Sequence, residues 1–226
     1  MQTESVGHAV GALDAARQDR RVVPLGSAVP ESSWLPQRAL QRHVVAAARR
    51  SPSLLSEYEL LRGLPALRHQ IARRYADVGC PLSDDELLIT NGCMEALHLC
   101  ISAVAGTGDT IAVESPAYFG FLQIIENLGI KALEIATDPR DGLSVEALER
   151  ALQNRHGARI KACLLVSSYS NPLGATLPEA RRKALLRLCT AHDIALIEDD
   201  IYGELNHAGA RPRPVKSFDR SGQVML

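Results

Sequence analysis

The sequence predicts an α/β fold, a mostly parallel sheet with helices on both faces. Short apolar runs alternate with amphipathic segments from residue 86 onward. Parallel strands need crossovers, and those amphipathic segments supply them. At 226 residues the chain is also long enough to bury a sizeable core.

Residues 1–33 are weakly patterned and interrupted by Pro24, Gly26 and Pro30, so they read as an extended lead-in or arm ahead of a large domain over 34–226. Pro36 to Arg50 reads as a helix closed by Ser51 and Pro52. From Gly63 to Val78, Leu64, Leu67, Ile71 and Tyr75 recur every three to four residues, which predicts an amphipathic helix ended by Gly79. Strands are expected at Glu86 to Thr90, Thr110 to Glu114, Lys131 to Ile135, Ala162 to Val166 and Ala195 to Glu198. Helices are expected between them at Met94 to Val104, Phe119 to Leu128, Val145 to Leu152 and Glu179 to His192. In the last of these, Ala180, Ala184, Leu185, Leu188 and Ala191 form the apolar stripe, and Arg181, Arg182, Lys183 and Arg187 read as solvated surface.

Lys and Arg total 25 against 26 Asp and Glu, a balance that gives no broad basic surface for nucleic acid. The five cysteines are scattered and never spaced as C-x-x-C, so they read as small buried groups of a reducing compartment. No run of about 18 apolar residues is present to cross a membrane, and the N-terminal stretch has no uninterrupted apolar core of a secretory signal. A cytoplasmic globular protein is the expectation.

Four stretches at strand ends can carry chemistry. In "TNGCMEAL", Thr90 to Leu97, Asn-Gly leads into a helix whose first N–H groups suit a phosphate; Asn91 reads equally as an ordinary N-cap. The only G-x-G, Gly106 to Gly108, precedes a strand, so no dinucleotide fingerprint is present. In "ESPAYFG", Glu114 to Gly120, the ring of Tyr118 either stacks on a flat ligand or packs on the core. In "SNPLGATLPE", Ser170 to Glu179, Asn171 either serves turn chemistry with Pro172 and Gly174 or presents its amide above the strand ends.

The fourth stretch is "IEDDIYGEL", Ile197 to Leu205, where a strand runs into Glu198, Asp199 and Asp200. Three adjacent carboxylates at the end of an apolar strand repel one another, so at least one needs a cationic partner or a metal. Alternation puts Glu198 and Asp200 on one face and Asp199 on the other. A carboxylate about 3 Å from a protonated ring nitrogen gains on the order of 5 kcal/mol at an effective dielectric of 20, before desolvation. Magnesium is the competing partner, but no phosphate-transfer loop accompanies the acids.

These motifs, in this order, resemble the large domain of fold type I pyridoxal-phosphate enzymes of the aminotransferase class I and II group. More narrowly, "GCPLSDDELLITNGCMEAL", "VESPAYFG" and "LIEDDIYGEL" resemble the aminotransferase-like domain of GntR/MocR-type transcription regulators. The resemblance covers nearly all of residues 22–226. It implies pyridoxal 5′-phosphate as cofactor, with backbone N–H groups of Gly92 and Cys93 on its phosphate and Tyr118 stacked on its ring. Asn171 and Tyr202 would bond its 3-hydroxyl and Asp199 its ring nitrogen. Tyr58, in "YELLRGLPALRHQIA", would reach the phosphate of a neighbouring subunit in a homodimer, and "LGSAVP", Leu25 to Pro30, would line the substrate carboxylate.

The chemistry implied is amino-group transfer between an amino acid and a 2-oxo acid. The alternative is an effector domain that senses the cofactor or an amino acid and controls DNA through a winged helix, which these residues do not contain. Transfer needs a lysine that joins the cofactor covalently and moves the α-proton. The four lysines, Lys131, Lys161, Lys183 and Lys216, do not match that position, which follows the strand beginning near Gln223. Lys216 lies in a proline-broken loop expected to be exposed. The chain therefore reads as a fragment holding most of the cradle, with the lysine and the smaller C-terminal domain outside it. It is expected to be inactive alone.

Overall fold

The computed structural model describes residues 6–19, 21–23, 30–58, 62–154 and 160–226. They divide into two compact units, Met1–Leu64 and Pro65–Leu226.

The first unit contains α1 (Val6–Gln18) and α2 (Gln37–Arg50), with single 3-10 turns at Ser32–Trp34 and Pro52–Leu55. Helix α1 replaces the extended arm that the sequence suggested. The breakers Pro24, Gly26 and Pro30 all lie beyond its end, and its own stretch, with Ala12, Ala15 and Ala16, contains no proline. Helix α2 stops where expected, because Ser51 donates the last N–H to Ala47 and Pro52 has none to give.

The second unit opens with α3 (Pro65–Ala76), whose proline sits in the first turn, where its missing N–H costs nothing. Gly79, at φ 72°, ends it, and the Cys80 N–H returns to the Tyr75 carbonyl. The strand expected over Glu86 to Thr90 does not form. Glu86 is held in a capping box, its carboxylate accepting the Ser83 N–H at 2.8 Å. From Leu87 the chain is extended, but residues 87–90 have no ladder partner among the described residues.

Then follow α4 (Cys93–Val104), β1 (Thr110–Ser115), α5 (Phe119–Asn127), β2 (Lys131–Asp138), β3 (Gly142–Leu143), α6 (Val145–Gln153), β4 (Ile160–Val166), α7 (Glu179–Ala191), β5 (Ala195–Asp199) and β6 (Val224–Met225). They build one sheet in the order β3-β2-β1-β4-β5-β6. Every pairing is parallel except that of β2 with the short β3.

Strand alternation divides the core in two. Ala112, Cys163, Leu165 and Leu196 face α6 and α7 through Leu148, Leu152, Leu185 and Cys189. Their neighbours Ile111, Val113, Leu164 and Ile197 face α4 and α5 through Leu97, Ile101, Phe121 and Ile124. Ile101, Phe121, Leu148, Leu164, Leu185 and Leu196 are completely buried. Each such side chain contributes roughly 1.5–3 kcal/mol, so burial on both faces dominates the stability of this unit. Among the described residues no helix is long and apolar enough to cross a membrane.

Candidate functional site

The strand order reverses direction between β1 and β4, since β1 crosses over to β2 on one side while β4 leads to β5 on the other. In open parallel sheets the crevice beyond the carboxyl ends at such a reversal is where ligands bind. The segments Glu114–Tyr118, Ser167–Asn171 and Asp199–Tyr202 all leave the carboxyl ends of β1, β4 and β5, and α4 packs on β4 and β5.

The three consecutive acids are resolved by geometry. Glu198, on the α6/α7 face, is completely buried and lies 3.9 Å from the Arg182 guanidinium. It accepts hydrogen bonds from the Ser167 hydroxyl (2.5 Å) and from the N–H groups of Val215 (2.8 Å) and Lys216 (2.9 Å). Asp200 pairs with Arg211 at 2.5 Å and accepts the Tyr75 hydroxyl at 3.2 Å, with the guanidinium 4.9 Å above the tyrosine ring. Asp199 is different. It is only 8 % exposed, yet among the described residues it has no cationic partner. Its Oδ1 accepts the Ile201 N–H at 3.0 Å and its Oδ2 the Cys93 thiol at 3.7 Å. Burial raises its carboxyl pKa above the ordinary value, Asp200's charge adds to the rise, and the two donors oppose it. A buried carboxylate with spare lone pairs and no counter-ion suits an incoming cation. Two of the three acids thus have the cationic partner the sequence required, each an arginine. Among the described residues no cluster suits a metal ion.

Helix α4 begins at Cys93 with Gly92 as its N-cap, and no side chain caps it. Asn91 is therefore not the N-cap; its N–H (2.5 Å) and its amide (3.1 Å) both donate to Glu95. Gly92 has φ 95°, a left-handed conformation that favours glycine, and nothing lies within 4 Å of where a Cβ would point. The N–H groups of the helix's first turn have no side-chain cap, an arrangement that can accept an anion. Burial pushes the Cys93 thiol up to about 12, so it is a hydrogen-bond donor at neutral pH and not a nucleophile.

Tyr118 packs edge-on to the buried Phe121 at 5.7 Å, and a Cβ on Gly120 would run into its ring. Burial raises the Tyr118 phenol, followed by the fields of Tyr202, Cys93 and Asp199. The Tyr118 ring therefore packs on the core, close enough to Tyr202, Cys93 and Asp199 to feel their fields. Tyr202 packs against the same core cluster. Asn171 is half-buried on a tight loop in which Ser170 donates to the Ala175 carbonyl and Gly174 to that of Ser170. Turn chemistry shapes this loop, while the Asn171 amide makes no hydrogen bond to the described residues. Tyr58 belongs to the first unit, where its side chain is 95 % exposed. Residues 25–29 of the "LGSAVP" stretch lie outside the described residues.

Two readings of the sequence need correction. Lys216 is not exposed: its Nζ donates to the Val224 carbonyl at 2.9 Å and pairs with Asp219 at 3.3 Å. Nor is Arg182 a solvated surface group, since it is 2 % exposed. The buried stripe of α7 is Arg182, Leu185, Leu186 and Cys189. That i, i+3, i+4, i+7 spacing was the sequence signal for its burial. Glu114 was likewise not singled out. Only 3 % exposed, it accepts the Val166 N–H at 2.9 Å beyond the last β1–β4 backbone pair, and burial pushes its carboxyl up to about 7.

Residues 21–221 match the family model described as aminotransferase class I and II. The chain is 41% identical over 211 residues to YjiR of Escherichia coli (strain K12), described as an uncharacterised HTH-type transcriptional regulator, covering 93% of this chain and 44% of that one. It is 29% identical over 209 residues to aromatic-amino-acid aminotransferase 1 of Thermococcus litoralis, covering 90% and 49%. A crystal structure of Pyrococcus horikoshii kynurenine aminotransferase in complex with PMP superposes with a TM-score of 0.84 at 27% identity, over 99% of this chain and 55% of that one. The chain thus spans about half the length of the relatives it matches.

Proposed function

The chain belongs to the aminotransferase class I and II family, and on that premise we propose that the protein moves an amino group between an amino acid and a 2-oxo acid. Its cofactor is pyridoxal 5′-phosphate, which supplies, when bound, a conjugated ring that takes up the electrons left when the substrate's α-proton departs.

The residues of the crevice fit that group. Asp199 would pair with the ring nitrogen and hold a proton there. Gly92 and Cys93 would offer backbone N–H groups to the phosphate. Tyr118 would stack on the ring, and Asn171 and Tyr202 would hydrogen-bond the 3-hydroxyl. Tyr58 belongs to the same reading, directed at the phosphate of a neighbouring subunit in a homodimer. The protein works in the cytoplasm on small-molecule substrates.

One observation carries the reading: the middle acid of Glu198-Asp199-Asp200 is buried with no counter-ion among the described residues, while both neighbours have an arginine. A structural role for Asp199 gives no reason to leave it so. Titrating the full chain with pyridoxal 5′-phosphate tests this through the cofactor's absorbance. Saturable binding in wild type that Asp199→Ala abolishes supports the reading, whereas equal binding by both refutes it.

A second reading is favoured by the 41% identity to an HTH-type regulator. In it the same crevice is a sensor that governs DNA binding through another domain. Turnover of amino acid plus 2-oxo acid by the full-length protein at ordinary enzyme rates favours the first reading. Absence of turnover together with amino-acid-dependent DNA binding favours the second.

A further inference from the structure

A guanidinium is expected at the surface of a helix, as that of Arg187 on α7 is. Arg182 instead uses all five of its N–H donors inside the protein. Nε donates to the Leu177 carbonyl (2.7 Å), Nη1 to the Ser167 hydroxyl (3.0 Å) and the Arg213 carbonyl (2.7 Å), and Nη2 to the Ser167 carbonyl (2.7 Å) and the Ser168 hydroxyl (2.9 Å). Glu198 supplies the opposing charge at 3.9 Å and in turn gathers the N–H groups of Val215 and Lys216.

Four of these five bonds end on the loop that carries Asn171 and the fifth on the Arg213 carbonyl. Ser167, Ser168 and Leu177 are the two stems of the loop that carries Asn171, and Glu198 immediately precedes Asp199. Between the gripped Ser168 and Asn171 stands Tyr169, at φ 54°, a left-handed conformation that disfavours a bulky side chain. Its N–H is held by the Thr176 hydroxyl at 3.1 Å. Such a conformation persists only where its surroundings over-determine it. A buried ion pair is also poor value as stability alone, because apolar side chains of similar volume do as well or better.

We propose that Arg182 is a positioning residue for the cofactor site, one buried fork that fixes the loop carrying Asn171 and the strand end carrying Asp199 in a single arrangement. The inference rests on the cofactor reading above. Lysine cannot replace it, since an ammonium has three donors on a flexible stem and no planar fork.

The test uses the full chain and pyridoxamine 5′-phosphate, which has no aldehyde to react with lysines. Affinity is read by titration, and the protonation of the bound ring by its ultraviolet absorbance. Arg182→Lys, folded by a cooperative melt, is expected to bind about tenfold or more weakly and to protonate the ring less, as displaced site groups do. Ser168→Ala removes one tine's contact without touching Glu198 and is expected to bind about threefold more weakly. Lys183→Gln, on the exposed side of the same helix, is expected to bind as wild type does. If Arg182 only holds the core, Arg182→Lys lowers the melting temperature but keeps wild-type affinity and ring signal, and the proposal is overturned. Should that variant not fold, Ser168→Ala decides, and wild-type binding by it overturns the proposal. Loss of the ring signal in Asp199→Ala shows that the cofactor reading stands independently. Retention of that signal, or absence of binding by wild type, sinks that reading and this proposal with it.

Discussion

The Cys93 sulfur lies 3.7 Å from Oδ2 of Asp199, so the first residue of α4 touches the last residue of β5. A helix start without a side-chain cap and a buried carboxylate with no cation among the described residues are thereby brought together. A ligand with a phosphate at one end and a basic ring nitrogen at the other can engage both.

Asp199→Asn should make the cofactor-free protein more stable at neutral pH while weakening cofactor binding. The folded-state carboxyl pKa is raised, with burial as its largest cause. An acid raised on folding destabilises the fold as pH climbs through its unfolded value towards its folded one. The asparagine cannot ionise and escapes that loss. Thermal melts of both proteins at pH 4 and pH 7.5, without cofactor, check it: the advantage of the variant must grow with pH.

Glu114 should add a second pH dependence. Its carboxyl stands at about 7 against an ordinary 4.5. Between those values the unfolded chain binds fewer protons than the folded one, so stability falls as pH rises. Glu114→Gln keeps an acceptor for the Val166 N–H and removes the ionisation. At pH 8 it should be more stable than wild type by up to roughly 3 kcal/mol, and near pH 4 by little. Urea unfolding at both pH values measures this, and parallel pH profiles would contradict it.

Gly92→Ala tests the start of α4. A Cβ would meet no atom within 4 Å, so the substitution clashes with nothing, but φ 95° strains any other residue. With ψ at 172° the backbone lies where almost only glycine is found, so the cost should be about 1–3 kcal/mol, met by a shift of the backbone that carries the first helical N–H groups. The preference for pyridoxamine 5′-phosphate over pyridoxamine should therefore shrink in the variant. Titration with both compounds would show whether it does.

Breaking the Asp200 pair should be structural in effect. Asp200 is buried with Arg211 and the Tyr75 hydroxyl. Arg211→Ala leaves that carboxylate without its cation, a change that typically costs about 3–5 kcal/mol. A melt unchanged by Arg211→Ala would show that the pair is dispensable.

Much of this molecule was legible as pattern. Every strand expected from Thr110 onward is present, because apolar runs separated by helical periods allow little besides a parallel sheet. The stretch over Glu86 to Thr90 looked like a strand by composition, but a strand exists only through its partner, and Glu86 was already bound into a capping box. Helix α1 escaped notice because Pro24, Gly26 and Pro30 dominated the reading of a region whose first part they do not reach. Around the crevice, the acids, the glycine and the tyrosine could be read as motifs. Which acid lacks a cation could not, because Arg182 and Arg211 are 16 and 11 residues from their partners along the chain and meet them only in the fold.

In the proposed function Asp199 holds a proton on the ring nitrogen of the bound cofactor. Nitrogen-15 magnetic resonance of ring-labelled pyridoxamine 5′-phosphate, bound to the full chain at a pH where the free ring nitrogen is neutral, measures it directly. The account predicts a protonated ring nitrogen in wild type and a neutral one in Asp199→Asn. The same nitrogen shift in both proteins, with the cofactor bound, would contradict it.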